Sequence, residues 1–282
     1  MKLAILLQYI APKQLLTAAA GKLAHWQAGS LTTAFIGWFV RKYHVNMEEA
    51  LNGDISSYKS FNLFFTRPLK PGVRPLENNA FICPVDGAIS QFGKIENGQI
   101  FQAKGHHYTA QTLVGGDAAL AANFNHGSFA CLYLSPKDYH RIHMPCDGRL
   151  LQMTYVPGDL FSVNPLTAAN VPSLFARNER VVCTFESAQH GRFVLVLVGA
   201  TIVGSMATVW HDTKDHIINP PRPGNIVHWD YSDRNIHLQQ GEEMGRFLLG
   251  STVVMLFEKD VLNFNAGWHA GKPVRLGEAM GN

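Results

Sequence analysis

The chain of 282 residues is long enough to bury a substantial core, as one large domain or two small ones. With 46% hydrophobic and 16% charged residues it has a globular composition, and a net charge of +3 without basic runs among stacking aromatics argues against a nucleic-acid partner. The four cysteines, Cys83, Cys131, Cys146 and Cys183, are widely spaced without a Cys-x-x-Cys pair, so they read as reduced and mostly buried, with no metal role.

From Met1 to Met47 the chain carries Lys2, Lys13, Lys22, Arg41 and Lys42 and no acidic residue, set among the apolar stretches LAILLQYI, LLTAAAGKLAHW and LTTAFIGWFV. Each run is about ten residues or shorter, against the roughly twenty that cross hydrocarbon as a helix, so none is expected to span a bilayer. Composition leaves three readings open: helices lying in a membrane interface, a helical cap packed on the domain, or a signal peptide. Gln8, Pro12 and Lys13 interrupt the apolar region too early for the last. The first fifty residues are expected to be helical, with breaks at Pro12 and Gly29-Ser30 and a last helix beginning in NMEEAL.

After about Asp54 the texture changes. Short runs rich in Val, Ile, Phe and Tyr, bounded by Gly, Pro, Asn and Asp, follow one another: GAISQFGKI, GQIFQAKG, GSFACLYL, GRLLQMTYV, RVVCTFES, GRFVLVLVGATIVG and RFLLGSTVVMLF. They alternate or stay apolar over strand-like lengths, which predicts a mainly β body.

Three places could carry chemistry. In CPVDGAIS, Asp86 occupies an Asp-Gly step, ordinarily a turn signal. In LSPKDYHRIHMPCDG, His140 and His143 are three residues apart, a spacing that on a helical turn would put both imidazoles on one face, and the polar cluster around them suits acid–base work. A metal pair is conceivable there, but further ligands at a recognisable spacing are missing. In RFLLGSTVVMLF a Gly-Ser-Thr step places the Ser251 hydroxyl inside an otherwise apolar, strand-like run. Sequence separation cannot show whether Ser, His and Asp converge.

Together these stretches resemble the phosphatidylserine decarboxylases, and specifically their bacterial membrane-associated branch. The likeness rests on LGST (249–252), DYHRIHMP (138–145) and PVDG (84–87). Further likeness lies in FNLFFTRPLKPGVRP (61–75), VPGDLFSVN (156–164), LFARNERVV (174–182) and VGATIVGSM (198–206), so it covers nearly all of the chain from about Phe61 to Glu258.

The resemblance implies that the chain is a proenzyme. Ser251 would attack the carbonyl of Gly250, and β-elimination would then divide the chain into a β chain, residues 1–250, and an α chain, 251–282, whose first position becomes a covalent pyruvoyl group. Asp86, His143 and Ser251 would form the self-cleaving triad, with His143 as base and Asp86 fixing its tautomer. The pyruvoyl cofactor would then form a Schiff base with phosphatidylserine and release phosphatidylethanolamine, with His140 assisting decarboxylation. No metal is implied.

A diacyl lipid stays in the bilayer, so the resemblance favours the interfacial reading: a membrane-associating segment, residues 1–53, ahead of a catalytic domain, 54–282. It implies a peripheral protein on an anionic membrane surface, at the cytoplasmic face of a bacterial inner membrane. A homodimer is also implied, although the sequence itself carries no interface signal. The expected fold class is α+β, mainly β, with amino-terminal helices on an antiparallel core resembling a lipoyl- or biotinyl-carrier sandwich. The rival readings are a metal-dependent hydrolase using His140, His143 and Asp86, and an inactive lipid-binding relative.

Overall fold

The computed structural model describes residues 3–201, 206–211, 217–218, 224–248 and 251–282. Three helices open the chain, α1 (Leu3–Ile10), α2 (Lys13–His25) and α3 (Ser30–Tyr43), and a short α4 (Phe61–Phe65) follows. The breaks fall at Pro12 and Gly29, as the sequence predicts; α3 ends where His44 adopts a left-handed conformation, φ 55°. The helix expected at NMEEAL does not form. Instead Lys70 N donates to the Glu49 carbonyl and Leu51 N donates to the Pro68 carbonyl, while the Glu49 carboxylate receives Arg74, so pairing with a distant segment overrides local helix preference.

The strands that frame the rest are β1 (Gly87–Lys94), β2 (Ser128–Tyr133), β3 (Arg141–His143), β4 (Gly148–Val156), β5 (Arg180–Ser187), β6 (Gly191–Val198), β7 (Met206–Thr208), β8 (Val227–Asp230), β9 (Glu243–Phe247), β10 (Thr252–Phe257) and β11 (Pro273–Val274). Among the described residues the large sheet runs β8-β4-β5-β6-β10-β2-β1-β11, with His237–Leu238 also paired to β4, and a smaller sheet runs from Ile217–Ile218 through β7 and β9 to β3. These strand pairs are antiparallel, so the protein is α+β and mainly β.

Strand β10 explains why TVVMLF has no polar face. It pairs with β2 on one side and β6 on the other, with Val254 opposite both Cys131 and Val196. Successive side chains enter different cores: Val253, Met255 and Phe257 pack with Leu132, Leu195 and Phe193, whereas Val254 and Leu256 pack with Phe129, Val194 and Phe175. All four cysteines lie buried and free in these layers.

A third apolar cluster, around Ile36, Phe39, Phe61, Phe64 and Phe65, ties α3 to α4. Most rings of FNLFF are therefore core, and Leu63 alone of the five is exposed.

Gly87 marks a close approach between β1 and β2. A Cβ at this position would collide with the Tyr133 carbonyl oxygen, which is backbone and cannot step aside. Gly87→Ala is expected to lower stability by about 1–3 kcal/mol; a denaturant midpoint equal to wild type would show that the strands part without cost.

Candidate active site

RFLLGSTVVMLF is not one strand but two. Its first part belongs to β9 in the small sheet and its last six residues form β10 in the large one, so the Gly-Ser step lies at a crossing between sheets. Leu249 and Gly250 lie outside the described residues, as do residues 202–205 of VGATIVGSM.

The loop from β2 to β3 is fastened beside this crossing at both ends. Leu134 N donates to the Ser251 carbonyl at 2.9 Å, and Phe247 N donates to the His140 carbonyl at 3.0 Å. Leu134 and His140 are thereby tied to Ser251 and Phe247, and Ser251 comes to lie alongside the histidine segment. An Asp138 carboxylate turn shapes the loop, accepting from Ser135 N and Ser135 Oγ, each at 2.7 Å. Ser251 is fully buried, and among the described residues its Oγ has no hydrogen-bond partner; nor has the neighbouring Thr252 Oγ1. Leaving such groups unpaired away from water costs about 1–3 kcal/mol each.

His140 precedes β3 and His143 ends it, so the pair sits on extended chain rather than on a helical turn, and the two rings have separate surroundings. The reason is tertiary: β3 pairs with β9, with Arg141 opposite Arg246. The His140 ring packs on Phe65 at 4.1 Å between centroids. Its Nδ1 bonds the Asp138 carbonyl at 2.8 Å, and its Nε2 is buried without a partner. The neutral ring thus carries its proton on Nδ1, and burial pushes its pKa down to about 3.

His143 is held differently. Nδ1 bonds the Gly241 carbonyl at 2.7 Å and Nε2 meets the Tyr139 hydroxyl at 3.2 Å. The ring donates through Nδ1 and accepts from Tyr139 at Nε2, and burial lowers its basicity, opposed by the Gly241 bond and by the charges of Glu243 and Asp86.

Asp86 lies near this pair but does not hydrogen-bond to it. His143 N donates to the Pro84 carbonyl, which brings the PVDG turn against β3. The Asp86 carboxylate accepts from Arg74 Nη2 at 2.6 Å, Arg74 Nε at 2.9 Å and Leu276 N at 2.9 Å, and Arg74 Nη2 also reaches Glu49 at 2.7 Å. The structure therefore gathers Asp86, His140, His143 and Ser251 along connected backbone, but makes neither the His143–Asp86 nor the Ser251–His143 hydrogen bond of a closed triad. The Gly241 carbonyl, not Asp86, sets the His143 tautomer.

Arg74 and Gly241 are contacts of these residues that the sequence did not point to, whereas Tyr139 stands in the polar cluster beside the histidine pair and Phe65 in FNLFF. Arg74 and Phe65 lie within FNLFFTRPLKPGVRP and Tyr139 within DYHRIHMP, but the Gly241 carbonyl has no sequence signal. Among the described residues, no group of three or more His, Cys, Asp and Glu side chains is arranged to hold a metal ion.

The His140 environment makes stability pH-dependent. The unfolded chain takes up this proton near the ordinary histidine value of about 6.5 and the folded chain only near about 3, so between those values the unfolded state binds more protons and stability falls as pH falls. Denaturant midpoints should drop from pH 6.5 toward pH 4, by up to about 1.4 kcal/mol of stability per pH unit from this group. His140→Asn should flatten the slope; an unchanged slope would mean that folded His140 is already charged.

Fold and site define a mainly β enzyme built around a buried serine and two uncharged histidines. A family model described as phosphatidylserine decarboxylase matches residues 61–282, and a second, described as PSD, matches residues 3–44. The chain belongs to the phosphatidylserine decarboxylase family. It is 66% identical over 281 residues to the phosphatidylserine decarboxylase proenzyme of Dechloromonas aromatica, covering 100% of this chain and 98% of that one. It is 68% identical over 279 residues to the proenzyme of that name from Variovorax paradoxus, covering 99% and 97%. The like-named protein of Methylobacillus flagellatus is 66% identical over 275 residues, covering 97% and 96%.

Proposed function

We propose that the chain is a proenzyme that breaks its own backbone between Gly250 and Ser251 and, once matured, decarboxylates phosphatidylserine to phosphatidylethanolamine. The observation that carries this reading is the buried, unpartnered Ser251 hydroxyl at the crossing between two sheets, beside a loop of neutral histidines. Relatives that match nearly the full chain and are named proenzymes support it.

In maturation, Ser251 Oγ attacks the Gly250 carbonyl carbon and its proton passes to His143 Nε2 as the Tyr139 hydroxyl gives way. The C–N bond between the two residues breaks, the amide nitrogen takes a proton, and an ester remains. Loss of the position-251 Cα proton expels the Gly250 carboxylate, and water converts the resulting dehydroalanine to a ketone with release of ammonia. Gly241 keeps Nε2 the basic nitrogen, and the Asp86 charge, held in place by Arg74, favours the imidazolium that forms.

A pyruvoyl group suits position 251, which is fully buried; the serine oxygen leaves with the Gly250 carboxylate and the ketone oxygen comes from water. The pyruvoyl group supplies an electron sink for the electrons left behind when the substrate carboxyl departs. His140 Nε2, an unprotonated acceptor in the neutral ring, takes a proton from the substrate ammonium and returns it to the substrate carbon.

Helices α1–α3 bring the site to the lipid. Leu15, Leu23, Trp26, Leu31, Phe35 and Trp38 are exposed, and several line a cleft of about 460 Å³ with Phe61 at its base. With Lys22, Arg41 and Lys42 on the same helices and no acidic residue, residues 1–53 lie on an anionic membrane surface as a peripheral anchor for the catalytic unit, 54–282. Among the described residues no helix is long and apolar enough to cross a membrane. The cytoplasmic face of the membrane is the side proposed.

A mass spectrum of the purified protein tests the reading. Two polypeptides are expected, one ending at Gly250 and one of residues 251–282 that begins with a ketone reducible by borohydride. An intact chain with full decarboxylase activity would overturn it.

A further inference from the structure

Arg67 is a buried cation without a partner of opposite charge. Its side chain belongs to a residue only 3% exposed, and among the described residues its Nε has no hydrogen-bond partner. Nη2 makes one long contact, 3.4 Å, to the Lys137 carbonyl, and the guanidinium carbon lies 5.4 Å from the centre of the Phe64 ring. Among the described residues it forms no ion pair; Glu49 and Asp86, the carboxylates whose charge it feels, are both committed to Arg74. A buried charge held this way is unfavourable, and burial accordingly lowers its pKa.

The location gives it a use. Residues 65–67 lie along the histidine loop at three points: the Phe65 ring on His140, the Thr66 carbonyl accepting from Arg141 Nε at 2.9 Å, and Arg67 on Lys137. Its positive charge is felt at His140, where it further disfavours the imidazolium. Arg74 and Arg141 are both engaged by carboxylates, so among these three guanidinium groups an anion arriving beside His140 would find Arg67 without one.

We propose that Arg67 is the anion-recognition residue of the site and receives the anionic headgroup of the lipid beside His140. This rests on the decarboxylase reading, because a phosphatidylserine headgroup brings two such anions, a carboxylate and a phosphodiester, that suit a guanidinium's planar donors.

The test uses full-length Arg67→Gln and Arg67→Lys, assayed in neutral detergent micelles so that membrane charge plays no part. Both should self-cleave on a gel and melt as wild type does. For phosphatidylserine, Arg67→Gln should raise KM roughly tenfold or more, the scale of one lost charge-assisted contact, with a smaller effect on kcat, and Arg67→Lys should recover part of the loss.

Inhibition by phosphatidylethanolamine, which keeps the phosphodiester but lacks the carboxylate, separates the two anions. If Arg67→Gln weakens it in parallel, the phosphodiester is the group bound; if inhibition is unchanged while KM rises, the carboxylate is. Wild-type KM in Arg67→Gln would overturn the proposal. So would failure of both variants to self-cleave or a large drop in both melting temperatures, since Arg67 would then serve maturation or folding. Collapse of the decarboxylase reading shows separately, as a wild-type chain that stays uncleaved and inactive, and it would take the proposal with it.

Discussion

Ser251→Ala is expected to leave the chain in one piece and abolish decarboxylation. The expectation is unusually clean because the Ser251 Oγ makes no hydrogen bond to any of the described residues, so its removal strands no partner among them. Deleting a buried, unsatisfied hydroxyl should leave stability unchanged or raise it, by up to about 1–3 kcal/mol. The variant should therefore melt no lower than wild type while showing a single full-length band and no carbon dioxide release. Loss of function could not then be assigned to unfolding. Two fragments in this variant would dismiss Ser251 as the nucleophile.

His143→Asn should block maturation almost as completely. The asparagine amide offers a donor near the position of Nδ1 for the Gly241 carbonyl but has no basic nitrogen at the position that meets Tyr139. A general base contributes about 10²–10⁴-fold, so cleavage should slow by about that factor. His140→Ala makes the contrast, since it should be cleaved normally and then turn over poorly. A time course on a gel separates the two roles; normal processing of His143→Asn would remove His143 from the base position.

Much of this fold could be read from periodicity. Runs such as RVVCTFES and GRFVLVLV become adjacent antiparallel strands, and TVVMLF is apolar throughout because both faces of β10 are covered. The carrier-domain sandwich implied by family resemblance goes further than this strand order does. Local pattern failed where distant chain decided the outcome: NMEEAL lost its helix to pairing with residues 68–70, and the His140–His143 interval is extended because β3 joins β9.

The candidate residues Asp86, His140, His143 and Ser251 stood out in the sequence, but the roles proposed for them came only through motif resemblance. What was not legible was their wiring. The carbonyl that orients His143 comes from Gly241, 98 residues away, and the ion pair that occupies Asp86 comes from Arg74, whose short sequence distance gave no hint of contact. Backbone carbonyls carry no residue signature, so no reading of side-chain types could have found the first.

The crossing between sheets has one last implication. Strand β10, which begins one residue after the proposed scissile bond, is wedged between β2 and β6, both from what would be the larger portion, through six consecutive residues on each side. Severing the backbone just upstream would free an end without freeing a subunit. The two products would behave as a single body, inseparable by dilution and parted only by denaturation, and the fresh terminus would be left anchored where it was made.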